Sequence, residues 1–141
     1  MAHPAEPALP VDANVILRYL TDAPPALAER AARLFAAVER GEQAMLVEDV
    51  VFAEVVWTLA SFYRLSKREI ADALLALLAA DGVQNPDKPT LQLALVLFHE
   101  RNLDFADALL AARALNSSDK RLYSFDRDFD RVPGLTRLEP P

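Results

Sequence analysis

The sequence predicts a single α/β domain built in three layers, a parallel sheet of four or five strands with helices on both faces. Short apolar runs that read as strands recur along the chain, and each is followed by one or two helical stretches, so the strands cannot be joined by hairpins and must run parallel. With 141 residues, 52% of them hydrophobic, the chain has the size and apolar content for one well-buried core. The predicted domain covers residues 9–141. Residues 1–8, rich in proline and poor in hydrophobic mass, are expected to form a disordered leader.

The first strand is placed at residues 9–11, where Leu9 and Val11 flank Pro10, a residue that cannot donate to a sheet ladder and belongs at an edge, a strand start or a bulge. A short helix follows over 14–20. Pro24-Pro25 open a longer one, in which Leu27, Leu34, Phe35 and Val38 repeat at helical spacing up to a stop at Gly41. Residues 44–47 read as a second strand, with Asp49 as the expected cap of a helix from 50 to about 63. Ser66-Lys67-Arg68-Glu69 has the spacing of a capping box, and Ile70, Ala73, Leu74, Leu77 and Leu78 then share one helical face. Gly82 ends that helix, and Val83 marks a very short third strand before the turn at Pro86 and Pro89. Two more helices follow as a hairpin, over 90–100 and from Asp104 to about 116. A strand at 122–125 and a last, edge strand at 135–138 complete the chain.

Composition removes several function classes. Cysteine is absent, which excludes disulfides, cysteine nucleophiles and Cys-based zinc sites and leaves carboxylates and two histidines as the candidate ligands. His3 lies in the leader and His99 at a helix end, where a cation suits the dipole, so neither reads as a ligand. No apolar stretch reaches the roughly 18 uncharged residues of a membrane span, and residues 1–10 lack the form of a signal peptide, so a cytoplasmic location and no membrane contact are expected. The net charge of −6 argues against broad electrostatic binding to nucleic acid, which would need a local basic patch or a bound cation.

Four acids stand out by position. Asp12 and Asp126 follow predicted strands at their carboxyl ends, where ligands gather in open parallel sheets. Two readings are open for each: Asp12 or Asn14 would serve as an ordinary helix cap, and Asp126 would cap the turn made by residues 127–130. Glu54 interrupts the apolar run V-V-F-A-E-V-V-W, and with Thr58 and Ser61 it forms a narrow polar stripe that faces either solvent or a site. Asp107, in D-F-A-D-A-L-L-A-A, heads a face whose further members are Leu110, Ala111 and Ala114, so it is expected to point inward at the rim, while Asp104 reads as the helix cap. Asp128 and Asp130 read most simply as a solvated charge run. Were the four acids to converge on one mouth of the sheet, their mutual repulsion would call for a cation, and oxygen-only ligation selects magnesium or manganese. Phosphoester hydrolysis is the chemistry such a site implies.

The order V-D-A-N-V-I-L-R-Y-L, F-A-E-V-V-W-T-L, D-F-A-D-A-L-L-A-A and Y-S-F-D-R-D-F-D-R resembles the PIN-domain ribonucleases, most closely the VapC-type toxins of bacterial toxin–antitoxin pairs. The likeness spans residues 9–138 and rests on the order and spacing of the four motifs together. It implies that Asp12, Glu54, Asp107 and Asp126 are the acidic quartet that holds Mg2+ or Mn2+ and carries catalysis, that Asp128 is an auxiliary metal ligand, and that Asn14 and Ser124 support the site. It further implies metal-dependent cleavage of single-stranded or loop RNA, tRNA or rRNA among the substrates, a cognate antitoxin that covers the active site, and a homodimer. A PIN fold that binds or scaffolds without cleaving is the alternative. In the family the first strand is central, a position that Pro10 fits poorly.

Between residues 113 and 137 six basic residues (Arg113, Lys120, Arg121, Arg127, Arg131, Arg137) face four acids (Asp119, Asp126, Asp128, Asp130), 6 − 4 = +2. Arg113, Arg127 and Arg131, with Arg18 from the first helix, are the candidate phosphate contacts, against the plainer reading of solvated surface. Lys67 and Arg68 are further candidates. Trp57 is expected in the core or a dimer contact.

Overall fold

The computed structural model describes residues 7–141, so the expected leader lies, for residues 1–6, outside the described part. The chain alternates strands and helices in the order β1 (Leu9–Pro10), α1 (Ala13–Thr21), α2 (Pro25–Glu39), β2 (Met45–Leu46), α3 (Asp49–Ser61), α4 (Lys67–Leu78), β3 (Val83–Gln84), α5 (Lys88–Glu100), α6 (Phe105–Leu115), β4 (Arg121–Tyr123), a short 3-10 helix (Arg127–Arg131) and β5 (Thr136–Leu138). All strand pairs are parallel, in a three-layer α/β arrangement.

The strands fall in two pieces, β1-β2-β3 and β4-β5, where a single sheet of four or five strands was expected. Pro10 supplies part of the reason. The amides of Leu9 and Val11 donate to Ala44 (3.2 Å) and Leu46 (3.0 Å), so the intervening nitrogen faces away from β2, and on that side proline offers no hydrogen. Within its own piece β1 is an edge strand, the position a proline tolerates.

The core is helical packing against these short strands. Phe52, Val55, Val56 and Leu59 turn inward from α3, Ile70, Leu74 and Leu78 from α4, and Leu91, Leu95 and Phe98 from α5. Each such side chain contributes on the order of 1.5–3 kcal/mol through removal from water. The ring of Tyr19 stacks on Phe35 with centroids 4.1 Å apart, joining α1 to α2.

Local signals explain most boundaries. Both halves of the Ser66–Glu69 capping box form. Gly41, at φ 77°, takes the left-handed turn after α2. One expected cap is displaced, and one open choice is decided. Glu48, rather than Asp49, occupies the cap position of α3, and the Asp49 carboxylate instead accepts from Asn85 (2.9 Å) and pairs with Arg113. Asn14 lies inside the first turn of α1, leaving the cap position to Asp12. Of the two places expected for Trp57, the core is excluded: it is 68% exposed.

A carboxylate cluster as candidate active site

Asp12 follows β1 directly. Its carbonyl accepts the Val15 amide at 3.1 Å, whereas its carboxylate makes no capping bond and is exposed. The acid is therefore not consumed by the structural role that its position offers. Asn14, also exposed, borders an open groove between α1 and α2 together with Arg18, Leu27 and Arg30.

Glu54 sits in the second turn of α3, whose inward face is filled by Phe52, Val55 and Val56. Its side chain is exposed, and the stripe continues through half-buried Thr58 to exposed Ser61. The interrupted apolar run is thus a helix whose outer side carries this one carboxylate.

Asp107 is the electrostatic centre of the group. It lies half-buried in the first turn of α6. Burial lifts its carboxyl pKa above the ordinary range, and the charges of Asp104, Asp126 and Asp128 push it further the same way. The inward, rim position expected for Asp107 is what the burial describes. Asp104 holds the cap position of α6 without a side-chain capping bond.

Asp126 has a structural task as well. One of its carboxylate oxygens accepts the Asp128 amide at 2.9 Å, capping the 3-10 helix, and its own amide donates to the Ser124 hydroxyl at 2.9 Å. Only one oxygen is engaged, so the other keeps its lone pairs. Ser124 supports the turn that presents the acid. Asp128 pairs with Arg131 at 3.0 Å.

Two cations lie near these acids, Lys67 in the field of Asp104 and Arg131 paired with Asp128. The Lys67 ammonium donates to the Leu103 carbonyl at 2.8 Å and lies 4.9 Å from the centre of the Phe98 ring. Desolvation lowers its pKa, the Asp104 charge opposes that, and Arg131 adds to it. Arg131 donates to the Asn102 carbonyl at 2.9 Å. Both residues thereby pin the α5–α6 loop that leads into Asp107. Lys67 was only one unsorted basic residue in the sequence, because nothing local reveals a contact 36 residues away.

The predicted phosphate contacts divide. Arg113 is held by Asp49 and Arg131 by Asp128. Arg18 makes one long bond to the Ala23 carbonyl at 3.5 Å. Arg127 is exposed and makes no hydrogen bond or ion pair among the described residues. Arg137, with its side chain only 12% exposed, is tied to Asp130 and Glu139 and serves the structure.

The structure brings Asp104, Asp107, Asp126 and Asp128 into one electrostatic neighbourhood; Asp12 and Glu54 are not among the charges that perturb Asp107. Among the described residues no three acidic or histidine side chains are gathered tightly enough to hold an ion as they stand. The donor set nonetheless suits a hard divalent cation, being all oxygen, partly desolvated at Asp107 and mutually repulsive.

A family model described as PIN domain matches residues 10–135. No curated protein matches the chain. No helix among the described residues is long and apolar enough to cross a membrane.

Proposed function

The chain belongs to the PIN-domain family, whose members are generally nucleases, and from that premise we propose that it is a Mg2+- or Mn2+-dependent endoribonuclease of the VapC toxin type. The observation that carries this reading is the half-buried Asp107 in the field of Asp104, Asp126 and Asp128. Negative charge concentrated at a partly desolvated rim is unfavourable unless a cation joins it. When bound, a divalent ion there supplies neutralisation of the charge that develops on a scissile phosphate and a lowered pKa for water. Asp107, Asp126, Asp12 and Glu54 are the residues that would hold it, with Asp128 as auxiliary.

The chain's own groups do the rest. The Ser124 hydroxyl accepts the Asp126 amide and the Asp128 amide donates to the Asp126 carboxylate, so the backbone and the side chain of the acid are each held. Lys67 and Arg131 fix the loop before α6, and so the entry of Asp107. The exposed guanidinium of Arg127 stands next in sequence to Asp126, placed to meet a backbone phosphate.

The same reading includes a cytoplasmic toxin acting on tRNA or rRNA, a cognate antitoxin and a homodimer. A face for self-association is available on α3, where exposed Val50 and Trp57 lie two turns apart, with exposed Leu110 on the helix that Arg113 ties to α3. Large exposed apolar groups of this kind mark interaction surfaces. That face is also what favours a second reading, a PIN fold that binds partners without cleaving.

Cleavage of structured RNA, measured with magnesium, with chelator, and with Asp12→Asn and Asp107→Asn, tests the proposal. Cut products that vanish on chelation and in both variants support it. Cutting that survives all three would remove the metal mechanism, and no cutting of any RNA alongside tight protein binding would favour the scaffold.

A further inference from the structure

Tyr123 and Phe125 stand on either side of Ser124 just before Asp126 in the chain, and both are turned to solvent, at 71% and 72% exposure. Of seven phenylalanines, Phe35, Phe52, Phe98, Phe105 and Phe129 are buried; the other exposed rings are Trp57 on α3 and Phe62, which packs edge-on against Tyr63. Tyr123 closes β4 and Phe125 lies in the bend after it. The residue between them faces the fold: the Ser124 amide donates to the Leu138 carbonyl at 2.9 Å and its hydroxyl holds the Asp126 amide. The two rings thus project from a backbone pinned on both sides of them.

The charges beside the rings are the exposed Asp126, which makes no ion pair among the described residues, and two unpaired cations. Asp119 pairs with Arg121, Asp128 with Arg131 and Asp130 with Arg137, which leaves Lys120 and Arg127, one on each side of the aromatic pair, without an ion pair among the described residues. Next to Tyr123 lies an open hollow floored by Leu122 and Leu138 and edged by Ser117, Asp119 and Arg121. Exposed rings interleaved with free cations, and adjoining a hollow with polar edges, are what a single strand of nucleic acid requires: faces for its bases and positive charge for its phosphates. A paired duplex offers neither ring face to stack on.

We propose that Tyr123 and Phe125 form a stacking subsite for unpaired RNA bases, with Lys120 and Arg127 on the flanking phosphates, which delivers the strand to Asp126. The proposal rests on the nuclease reading for its purpose, but not for its binding. Phe125 is the residue immediately before Asp126, so a strand stacked there runs close to the candidate acid along the chain.

The test is binding of a short fluorescein-labelled single-stranded RNA to the full chain, read by anisotropy with chelator present so that cleavage makes no contribution. Tyr123→Ala and Phe125→Ala should each weaken binding by about tenfold or more, the scale of one lost base stack, whereas Tyr123→Phe and Phe125→Tyr should retain it. Duplex RNA of the same length should compete poorly. Unchanged affinity in both alanine variants, equal competition by duplex, or no binding of any single strand would overturn the subsite. So would alanine variants that change only the oligomeric state on gel filtration, since the rings would then serve a protein contact. Because cleavage is scored separately, aromatic-dependent binding without any metal-dependent cutting would leave the subsite standing and refute the nuclease, and the reverse pattern would do the opposite.

Discussion

Asp107 and Asp126 repel one another across the rim of the fold: burial is the main reason that the Asp107 carboxyl resists ionisation, and the Asp126 charge adds to it. A carboxyl whose folded pKa exceeds its unfolded value binds more protons folded than unfolded between those two values. Stability therefore falls as pH rises through that window, and the penalty is present in full above the folded pKa. Asp107→Asn should remove it, raising the melting temperature of the ion-free protein at neutral pH by about 2 °C, if relieved repulsion amounts to roughly 0.5 kcal/mol. The gain should shrink as the pH is lowered. Thermal unfolding of the chelated protein at several pH values measures this; a variant less stable than the parent at neutral pH would show that Asp107 is not a strained charge.

Arg113 and Arg127 should behave differently although they looked alike in the sequence. Arg113 is bound to Asp49 at a partly exposed site, so Arg113→Gln should cost about 0.5 kcal/mol of stability and leave the salt dependence of RNA binding unaltered. Arg127→Gln should spare stability and lower the slope of log affinity against log salt by about 1. Urea unfolding and a salt titration of RNA binding, run on both variants, separate the two roles. Equal salt slopes in both variants would count against the assignment of Arg127 to phosphate.

The capping box at α4 supports Lys67, the first residue of that helix, and so the loop before Asp107. Ser66→Ala should destabilise by about 1 kcal/mol. The Glu69 carboxyl is held below its ordinary pKa by bonds with the Ser66 amide and hydroxyl. A depressed carboxyl contributes stability above its unfolded pKa, and that contribution is lost as pH falls through the folded value. The backbone amide at position 66 survives in Ser66→Ala, and the hydroxyl's bond to the Glu69 amide does not depend on pH. The melting-temperature gap should therefore narrow on the acid side only by the hydroxyl's share of the carboxyl shift; a gap that stays constant down to low pH would contradict this linkage.

Gly82 admits no side chain. A Cβ there would stand 2.8 Å from Val38 Cγ1 and 3.0 Å from the carbonyl oxygens of Gln43 and Val38. The Gly82 carbonyl also accepts the Met45 amide at 2.8 Å, next to the short β2–β3 ladder. Gly82→Ala should cost about 1–3 kcal/mol, measured by urea unfolding with an unchanged slope. A neutral substitution would mean that α2 can move away from β3 with little strain.

Much of the fold was legible because its signals are local. The Ser66–Glu69 box, the stop at Gly41 and the 3.6-residue spacing of Ile70, Leu74 and Leu78 are each written within one or two turns of chain, and each appears where expected. Val83–Gln84 forms the faint third strand. The cap of α3 was misplaced because Asp49 has a distant claim on it, from Asn85 and Arg113, that outweighs its own preference. Hydrophobicity left Trp57 to the core or a dimer contact, and the core is excluded because its helix buries Phe52, Val55, Val56 and Leu59 instead.

What the amino-acid sequence determined by itself was the parallel α/β plan, the candidate acids and their delivery at strand ends and helix starts, since periodicity and turn chemistry act over short range. What the tertiary structure decided was the condition of each charged group: Asp107 partly desolvated among like charges, Asp126 with one oxygen spent on a turn, Arg113 neutralised, Arg127 free, and Tyr123 and Phe125 left in water. The physical reason is range. Burial and Coulomb interaction depend on distance in space, and residues such as Asp49 and Arg113, 64 positions apart, become neighbours only when the helices pack.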